Sequence, residues 1–428
     1  MDVDISYLAA NSWDETIWER LRWLQENDPV YWSEKDQLWV VTRFKDVASV
    51  SKHQELFTSE RGVRPGNPAR IGLIDEGEPR HGQLRALINR GFSPRMVRKW
   101  EEIFLEITRE TLDAIASKGE CDFVEDIAVP LPLLLIAEML GIRREDRRRF
   151  HHWSDTMIAA DGNMDDPVVM AAAGKSFVEY SGYLTDIIAD RQRNPQDDLI
   201  SILVGAKSDG LLTDFDQKEI LELKTGMEHS NLANDELIML CTVLMVAGNE
   251  TTRNGISGGI QLLIENPEVR QRLIDDPSLI PAAVEEMIRL VSPVRSFGRT
   301  AVQDTELGDK KIKADEKVLI IYPMANRDPR EFDDPDRFDI DRNPHHVGFG
   351  LGSHFCLGAN LARMEMRVAF EELLRRLPDM EYAAGGPVLK PSSLGPGLSP
   401  PPPCPPRVSP AWQRRVSRGR GRPEPARG

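Results

Sequence analysis

Apolar residues recur at helical spacing along most of this 428-residue chain. An amphipathic stretch runs from Glu15 to Glu26. Leu38 to Val50 reads as a strand running into a helix. Thr58 to Asp75, rich in Gly, Pro and Arg, has no period and predicts a long loop, which in a compact domain is usually functional or mobile. Helical spacing returns over residues 79–92, 95–118, 133–141, 143–160, 167–193 and 196–205. One long apolar helix is expected over 233–264 and a shorter one over 279–291. Val318 to Tyr322 is strand-like, Arg327 to Pro344 is a Pro/Asp-rich meander, and Leu357 to Leu377 is a clear helix. The fold class this implies is mainly α with a minor β region.

The last stretch departs from that pattern. Gly395 to Gly428 holds ten of the 30 prolines and sets seven arginines against one acid. Such a composition cannot bury a core and predicts disorder. We therefore expect a folded domain over residues 1–394 and a Pro/Arg-rich tail over 395–428, read either as a basic interaction tail or as an artefactual end such as a shifted reading frame. The net charge of −15 argues against nucleic acid as the main partner. No run approaches the ~18 apolar residues of a membrane anchor. Met1 to Ala10 carries two aspartates and no basic residue, so nothing there reads as a secretion signal. The expectation is a soluble, cytoplasmic protein. Cys121, Cys241, Cys356 and Cys404 lie far apart without a CxxC pair, which disfavours a disulfide framework or a zinc site.

The strongest chemical signal is FGLGSHFCLG, Phe349 to Gly358. Cys356 stands among Gly350, Gly352 and Gly358, which suit close backbone approach and positive φ. A helix starting at Leu357 would present its positive dipole end and free N–H groups to the sulfur. This suits a thiolate held against a flat iron cofactor, and axial thiolate ligation of haem favours O–O cleavage. A cysteine alone would more often be inert and buried. His354 could reach a carboxylate on the cofactor edge. Glu286 and Arg289 share a helix face; with Arg337 of the sequence PDRF they could form a bidentate network fixing the meander, although such pairs alone are usually solvated. In AGNETT, Ala247 to Thr252, Gly248 costs about 1 kcal/mol against alanine mid-helix. Glu250 and Thr251 are polar within a buried run. The stretch suggests a kink with room for a diatomic ligand and water, or polar positions that merely face solvent. His81 and Arg85 share a face that could hold cofactor carboxylates or be plain exposed basic surface.

Together these residues resemble the cytochrome P-450 family of haem-thiolate monooxygenases. Phe349, Gly352, His354, Cys356 and Gly358 fill the specified positions of F-x-x-G-x-[RH]-x-C-x-G. AGNETT matches [AG]-G-x-[DE]-T, Glu286 and Arg289 match E-x-x-R, and Arg337 matches that network's third member. The resemblance extends to about Ser393, nine-tenths of the chain. It implies a single, mostly helical triangular domain with a smaller β-rich side. Haem b (iron protoporphyrin IX) would lie between the long helix and the helix following the cysteine. Cys356 would be the proximal iron ligand. His81, Arg85, Arg299 and His354 would hold the propionates, with Ala247, Phe349, Gly350 and Gly358 also against the cofactor.

The same resemblance implies that Thr251 and Glu250 organise water and deliver two protons to dioxygen. A lipophilic substrate would sit against Ile71, Leu73, Val243, Val246, Val294 and Phe297. Electrons would come indirectly from NAD(P)H through a ferredoxin and ferredoxin reductase, docked near Arg80, Arg90, Arg95, Arg98, Lys99, Arg363 and Arg367. GLIDEGEPRHGQLRALINRGFSPRMV and SPVRSFGRTA look closest to soluble bacterial members that hydroxylate steroid side chains. Alternatives are a fatty-acid or secondary-metabolite hydroxylase, a peroxide-driven enzyme, or a non-enzymatic haem-binding protein. Two features depart from the family: the pattern stops near Leu394, where the family forms a C-terminal β-hairpin, and Asp214 to Leu232 adds a charged, helical segment before the long helix.

Overall fold

The computed structural model describes residues 2–9, 12–13, 16–65, 72–115, 118–160, 166–208 and 229–383. Its helices are α1 (Ile17–Asn27), α2 (Phe44–Lys52), α3 (Arg80–Ile88), α4 (Pro94–Ile115), α5 (Pro130–Met139), α6 (Arg147–Ala159), α7 (Pro167–Arg193), α8 (Leu199–Ser208), α9 (His229–Glu265), α10 (Pro267–Asp275), α11 (Ile280–Val291), the single turn α12 (Tyr322–Ala325) and α13 (Ala359–Arg376). Local signals set the ends. Before α7, Asp166 accepts hydrogen bonds from the N–H groups of Val168 and Val169, with Pro167 in the first turn and Arg191 and Arg193 in the last.

The strands are β1 (Val30–Ser33), β2 (Leu38–Val41), β3 (Phe57–Thr58), β4 (Ser296–Ala301), β5 (Thr305–Leu307), β6 (Lys310–Ile312) and β7 (Lys317–Ile321). Five form a sheet in the order β1-β2-β7-β4-β3, and β5 and β6 pair separately. The β2–β7 pair is parallel, with Val40 opposite Leu319; β4 runs antiparallel to β7, with Phe297 opposite Ile320. Both faces of β7 are buried: Val318 and Ile320 join Val41, Phe57 and Ala301, while Leu319 and Ile321 join Ile17, Leu21 and Val40. That explains its unbroken apolar run.

The 37-residue helix α9 spans about 55 Å and packs against α5, α11 and α13. Its glycines mark where neighbours come closest. A Cβ at Gly248 would lie 3.0 Å from Ile136 Cδ1 of α5, and one at Gly259 only 2.5 Å from Phe370 Cζ of α13. α9 is continuous through AGNETT, and Gly248 serves this packing, with no break in the helix.

Two consecutive acids of α11 tie the helices to the cysteine region. Glu286 accepts both Arg289 bonds at 2.7 Å, the Asp339 N–H at 3.1 Å and Arg342 Nε at 3.1 Å. Arg289, fully buried, also donates to the carbonyls of Asn326, Pro335 and Arg337 and lies over the Phe332 ring. Glu285 takes Arg363 of α13 at 2.6 and 2.9 Å and His346 at 3.2 Å. Burial would raise the Glu285 pKa, but hydrogen bonds from His346 and Arg363, and their charges, bring it down to about 2.

The network corrects one expectation. Its third member is Arg342, not Arg337. The Arg337 side chain is 62% exposed and held by Asp339 and Asp334, so only its backbone carbonyl reaches Arg289. The flanking acids of the meander capture the nearer guanidinium at the surface and leave the farther one to turn inward.

The helical pattern transferred to the fold within a few residues. β1, β4, β5, β6 and α10 did not stand out, because short strands and a two-turn helix carry too few apolar positions. Of the long loop, Thr58 closes β3 and Gly72–Asp75 forms a 3₁₀ turn, while 66–71 lie outside the described residues. So do 214–228 of the inserted segment; His229 to Leu232 begin α9. The tail, 395–428, is likewise outside.

Arg342→Ala should cost about 2 kcal/mol, the scale of a buried hydrogen bond to a charged group. Arg337→Ala should cost about 1 kcal/mol or less, as for exposed ion pairs. Chemical denaturation of the two variants checks the assignment; equal losses would reverse it.

Candidate active site

A cavity of about 1840 Å³, mouth included, opens between α9 and the Phe349–Gly358 loop. Gly350 and Gly352 have φ of 69° and 74°, and a Cβ at Gly352 would sit 2.5 Å from the Ser51 carbonyl oxygen in α2. The Cys356 N–H donates to the Phe349 carbonyl at 2.9 Å, which folds the loop back on itself. Arg363 lies 4.6 Å over the Phe349 ring, so the same arginine that holds Glu285 braces the loop. Gly358 differs from expectation: its φ is −84° and α13 starts after it, at Ala359. A Cβ at Gly358 would meet no protein atom within 4 Å. The flatness there leaves room for a cavity occupant.

Cys356 is crowded by protein on its other sides but exposed where it lines the cavity. Burial raises its pKa, against a hydrogen bond from the Gly358 N–H and the charges of Arg85 and Arg363. A bound metal ion would reverse that balance by favouring the thiolate.

At one edge of the cavity four basic groups from three places converge. His81 and Arg85 lie one turn apart on α3, Arg299 lies on β4, and His354 lies in the cysteine loop. The rings of His81 and His354 are 4.0 Å apart, and Arg85 donates to the Ser353 carbonyl at 3.2 Å. Strand alternation puts Phe297 and Arg299 on the cavity side of β4. Burial, then the charges of His81, Arg299 and Arg85, push the His354 pKa down to about 3. Burial also lowers Arg299 and Arg85. Two buried guanidinium groups and two imidazoles crowded in a dry edge call for anions, and the two propionates of haem are such anions. With a thiol at the floor, a bare glycine beside it and cationic groups at the rim, the residues fit haem.

On the opposite wall, Val243, Val246, Ala247 and Thr251 of α9 line the cavity, with Leu73, Val294 and Phe297. Ile71 lies outside the described residues. The Thr251 hydroxyl donates to the Ala247 carbonyl at 2.7 Å, leaving its oxygen free to accept a further bond. Glu250 is fully buried and faces away from the cavity wall, bound to Arg253 at 2.9 Å.

Two charged lining residues escaped the sequence reading. Arg64, in the loop before the 3₁₀ turn, reaches the cavity; burial lowers its pKa against the charges of Glu250 and Asp75. Glu365 of α13 is buried, accepts a bond from the Thr252 hydroxyl, and has its pKa raised by burial to about 8. Its one signal was an acid flanked by Met364 and Met366, both core residues.

The basic residues behind the cysteine are largely committed. Arg80 pairs with Glu236 and Glu76, Lys99 with Asp197, Arg363 with Glu285, and Arg367 with Glu101 and Glu371. Arg95 and Arg98 are exposed, and the Arg90 side chain lies outside the described residues.

This is a haem-thiolate arrangement, and the comparisons agree. The sequence profile described as Cytochrome P450 matches residues 7–402. The chain is 35% identical over 378 residues to the steroid C26-monooxygenase of Mycolicibacterium smegmatis, covering 88% of this chain and 89% of that one. It is 37% identical over 358 residues to the methyl-branched lipid omega-hydroxylase of Mycobacterium tuberculosis, covering 80% and 78%. The structure of CYP109E1 from Bacillus megaterium in complex with testosterone aligns with a TM-score of 0.77 and 31% identity over 93% of this chain and 100% of that one. The chain belongs to the cytochrome P450 family. It is a haem-iron monooxygenase of the bacterial type, which uses dioxygen, a redox partner and a lipophilic substrate. Among the described residues no helix is long and apolar enough to cross a membrane.

The raised Glu365 pKa has a stability consequence. The folded state holds this proton up to about pH 8, whereas an unfolded glutamate loses it near 4.5. The group's contribution is therefore fully present below about pH 4.5 and lost as pH rises through 8. Glu365→Gln, which stays neutral, should gain stability relative to the parent as pH rises from about 5 to 9. A constant difference across thermal melts in that range would contradict the assignment.

Proposed function

We propose that this monooxygenase hydroxylates a lipophilic substrate of steroid type at its side chain, with Cys356 as proximal ligand and Thr251 and Glu250 as the proton-handling pair. The observation that carries the reading is a single cavity with the thiol at its floor, the Thr251 hydroxyl in its wall and apolar side chains around the remainder. Haem, when bound, supplies the chemistry that activates dioxygen with two electrons and two protons and inserts one oxygen atom.

The chain's own residues do the rest. His81, Arg85, Arg299 and His354 would hold the propionates, the two arginines by charge and the two histidines by hydrogen bonds, with Ala247, Phe349, Gly350 and Gly358 against the ring. Leu73, Val243, Val246, Val294 and Phe297 exclude water and hold an apolar body by area burial, at about 25 cal/mol per Å². Thr251 accepts a proton donor's hydrogen bond at its oxygen while its own O–H donates to the Ala247 carbonyl. Glu250, buried one residue away, is the group that carries a proton inward. Thr251 and Glu250 also favour this reading over a peroxide-driven enzyme, which has no need of the pair. The steroid class is supported by the relatives named for C26 oxidation and by the testosterone-bound neighbour. A methyl-branched lipid is the second reading, supported by the omega-hydroxylase relative. For electrons, the proposed route is NAD(P)H through a ferredoxin reductase and a ferredoxin, docking on the cysteine side where Arg95 and Arg98 are exposed.

The reduced protein with carbon monoxide should give the red-shifted Soret band of thiolate ligation, and an imidazole-type band would refute Cys356. Thr251→Ala should retain haem yet divert most reducing equivalents to peroxide, the usual cost of a proton-transfer group being about 100-fold or more; unchanged coupling would remove Thr251 from proton delivery. Spectral titration should show steroids with an intact side chain displacing water from ferric haem more tightly than linear fatty acids. The reverse order would favour the second reading.

A further inference from the structure

The acid that braces the cysteine loop from α11 is held in turn by a residue of the chain entering that loop. His346, three residues before Phe349, is buried. Its Nδ1 accepts the Gly348 N–H at 3.1 Å, which leaves Nε2 to carry the ring's hydrogen and donate to Glu285 Oε2 at 3.2 Å. The turn has no room for a further side chain: a Cβ at Gly348 would lie 2.9 Å from Ile288 Cγ2 and 3.1 Å from His346 Nδ1. Between them, the Val347 N–H donates to Asn326 Oδ1 at 2.8 Å.

Glu285 also accepts two bonds from Arg363, at 2.6 and 2.9 Å. A guanidinium held at two points has its plane fixed, and this one lies 4.6 Å over the Phe349 ring. The His346 ring meets the same phenyl ring at 5.8 Å, and Phe355 meets it edge-on at 6.2 Å. The Phe349 carbonyl accepts the Cys356 N–H at 2.9 Å. One imidazole thus touches the backbone leading into the loop, the ring on which the loop folds, and the acid that aims a cation at that ring.

We propose that His346 is a positioning residue for the proximal thiolate, acting through Glu285 and Arg363 to set the positive field at the Cys356 sulfur. This inference rests on the reading of Cys356 as proximal ligand. The charge of Arg363 favours the thiolate, and the carboxylate of Glu285 offsets part of that charge. A hydrogen bond from His346 draws on the carboxylate's negative charge, so less of the arginine's field is cancelled and more reaches the sulfur. The same bond keeps the carboxylate turned so that Arg363 lies flat on Phe349. Without the imidazole the offset grows and the cation is less firmly placed. A weaker positive field at the ligand stabilises the reduced state less, so the potential of the haem iron falls; hydrogen bonding around the axial ligand is one of the protein's levers on that potential.

The test is a spectroelectrochemical titration of the haem-loaded enzyme, beside the Soret band of its reduced carbon monoxide form. His346→Asn keeps an acceptor for the Gly348 N–H but is too short to reach Glu285. Its potential should fall by about threefold in the reduction equilibrium, about 30 mV at 59 mV per tenfold. His346→Gln, whose amide N–H extends as far as Nε2, should restore the parental value. Glu285→Gln should shift the potential the opposite way, upward, because the charge of Arg363 is no longer offset. The double variant His346→Asn/Glu285→Gln should match Glu285→Gln alone, because His346 acts only through that carboxylate. Haem content and far-ultraviolet circular dichroism report that each variant is folded. An unchanged potential in His346→Asn overturns the inference, as does an equal fall in His346→Gln or in the Glu285→Gln background. If His346→Asn does not load haem, a fall in Glu285→Gln alone overturns it. An imidazole-type band in the parent refutes Cys356 as ligand and this inference with it; a thiolate band in the parent with one potential across the His346 variants refutes this inference alone.

Discussion

Two neighbouring carboxylates on α11 fix where everything else can be. Glu285 reaches across to α13 and Glu286 reaches down to the meander, so the loop carrying Cys356 is anchored on both sides from one turn of helix. Neither acid is left with an unmet charge. Glu286 faces two guanidinium groups and a backbone N–H, and the carbonyl ends of three further residues occupy the remaining donors of Arg289. A buried ion pair stabilises only when its hydrogen bonds are complete in this way; its main return is a unique geometry. Here that geometry is the distance between the cysteine loop and α9, and hence the depth of the cavity.

Around that cavity the protein separates its charges by task. Basic groups crowd the rim, where a dianionic cofactor edge belongs. One acid, Glu365, is so buried among apolar neighbours that it keeps its proton at neutral pH. The other, Glu250, is equally buried and pairs with Arg253 at 2.9 Å. Two glutamates buried near the same stretch of α9 thus have different partners, a guanidinium for Glu250 and the Thr252 hydroxyl for Glu365.

What could be read from the sequence was what is local. The helices announced themselves through their period, and FGLGSHFCLG and AGNETT are contiguous, so their residues arrive at the site together. The choice between Arg337 and Arg342 was not local: both follow an acid in the same meander, and only the packing against α11 decides which turns inward. β4 supplies Arg299 and Phe297, yet its six residues include a glycine and three polar or charged groups and show no apolar alternation. Glu365 looked like an ordinary polar position on an amphipathic helix until the position of Thr252 was known. The role of Gly248 was misread for the same reason. Its partner Ile136 lies more than a hundred residues away in the chain, and the sequence alone offers no sign of the contact.

The 4.0 Å stacking of His81 on His354 bears on how the molecule is made. These rings belong to α3 and to the cysteine loop, parts of the chain far apart in sequence, and Arg85 and Arg299 stand at the same edge, both with their pKa lowered by burial. An anion set among them would restore what burial takes from those two charges. The two carboxylates of haem would do so, and α3 would then be held to the loop through the cofactor as well as through the bond from Arg85 to the Ser353 carbonyl. Loading would in this way add stability to the edge of the shell, because a ligand bound only by the folded state favours it.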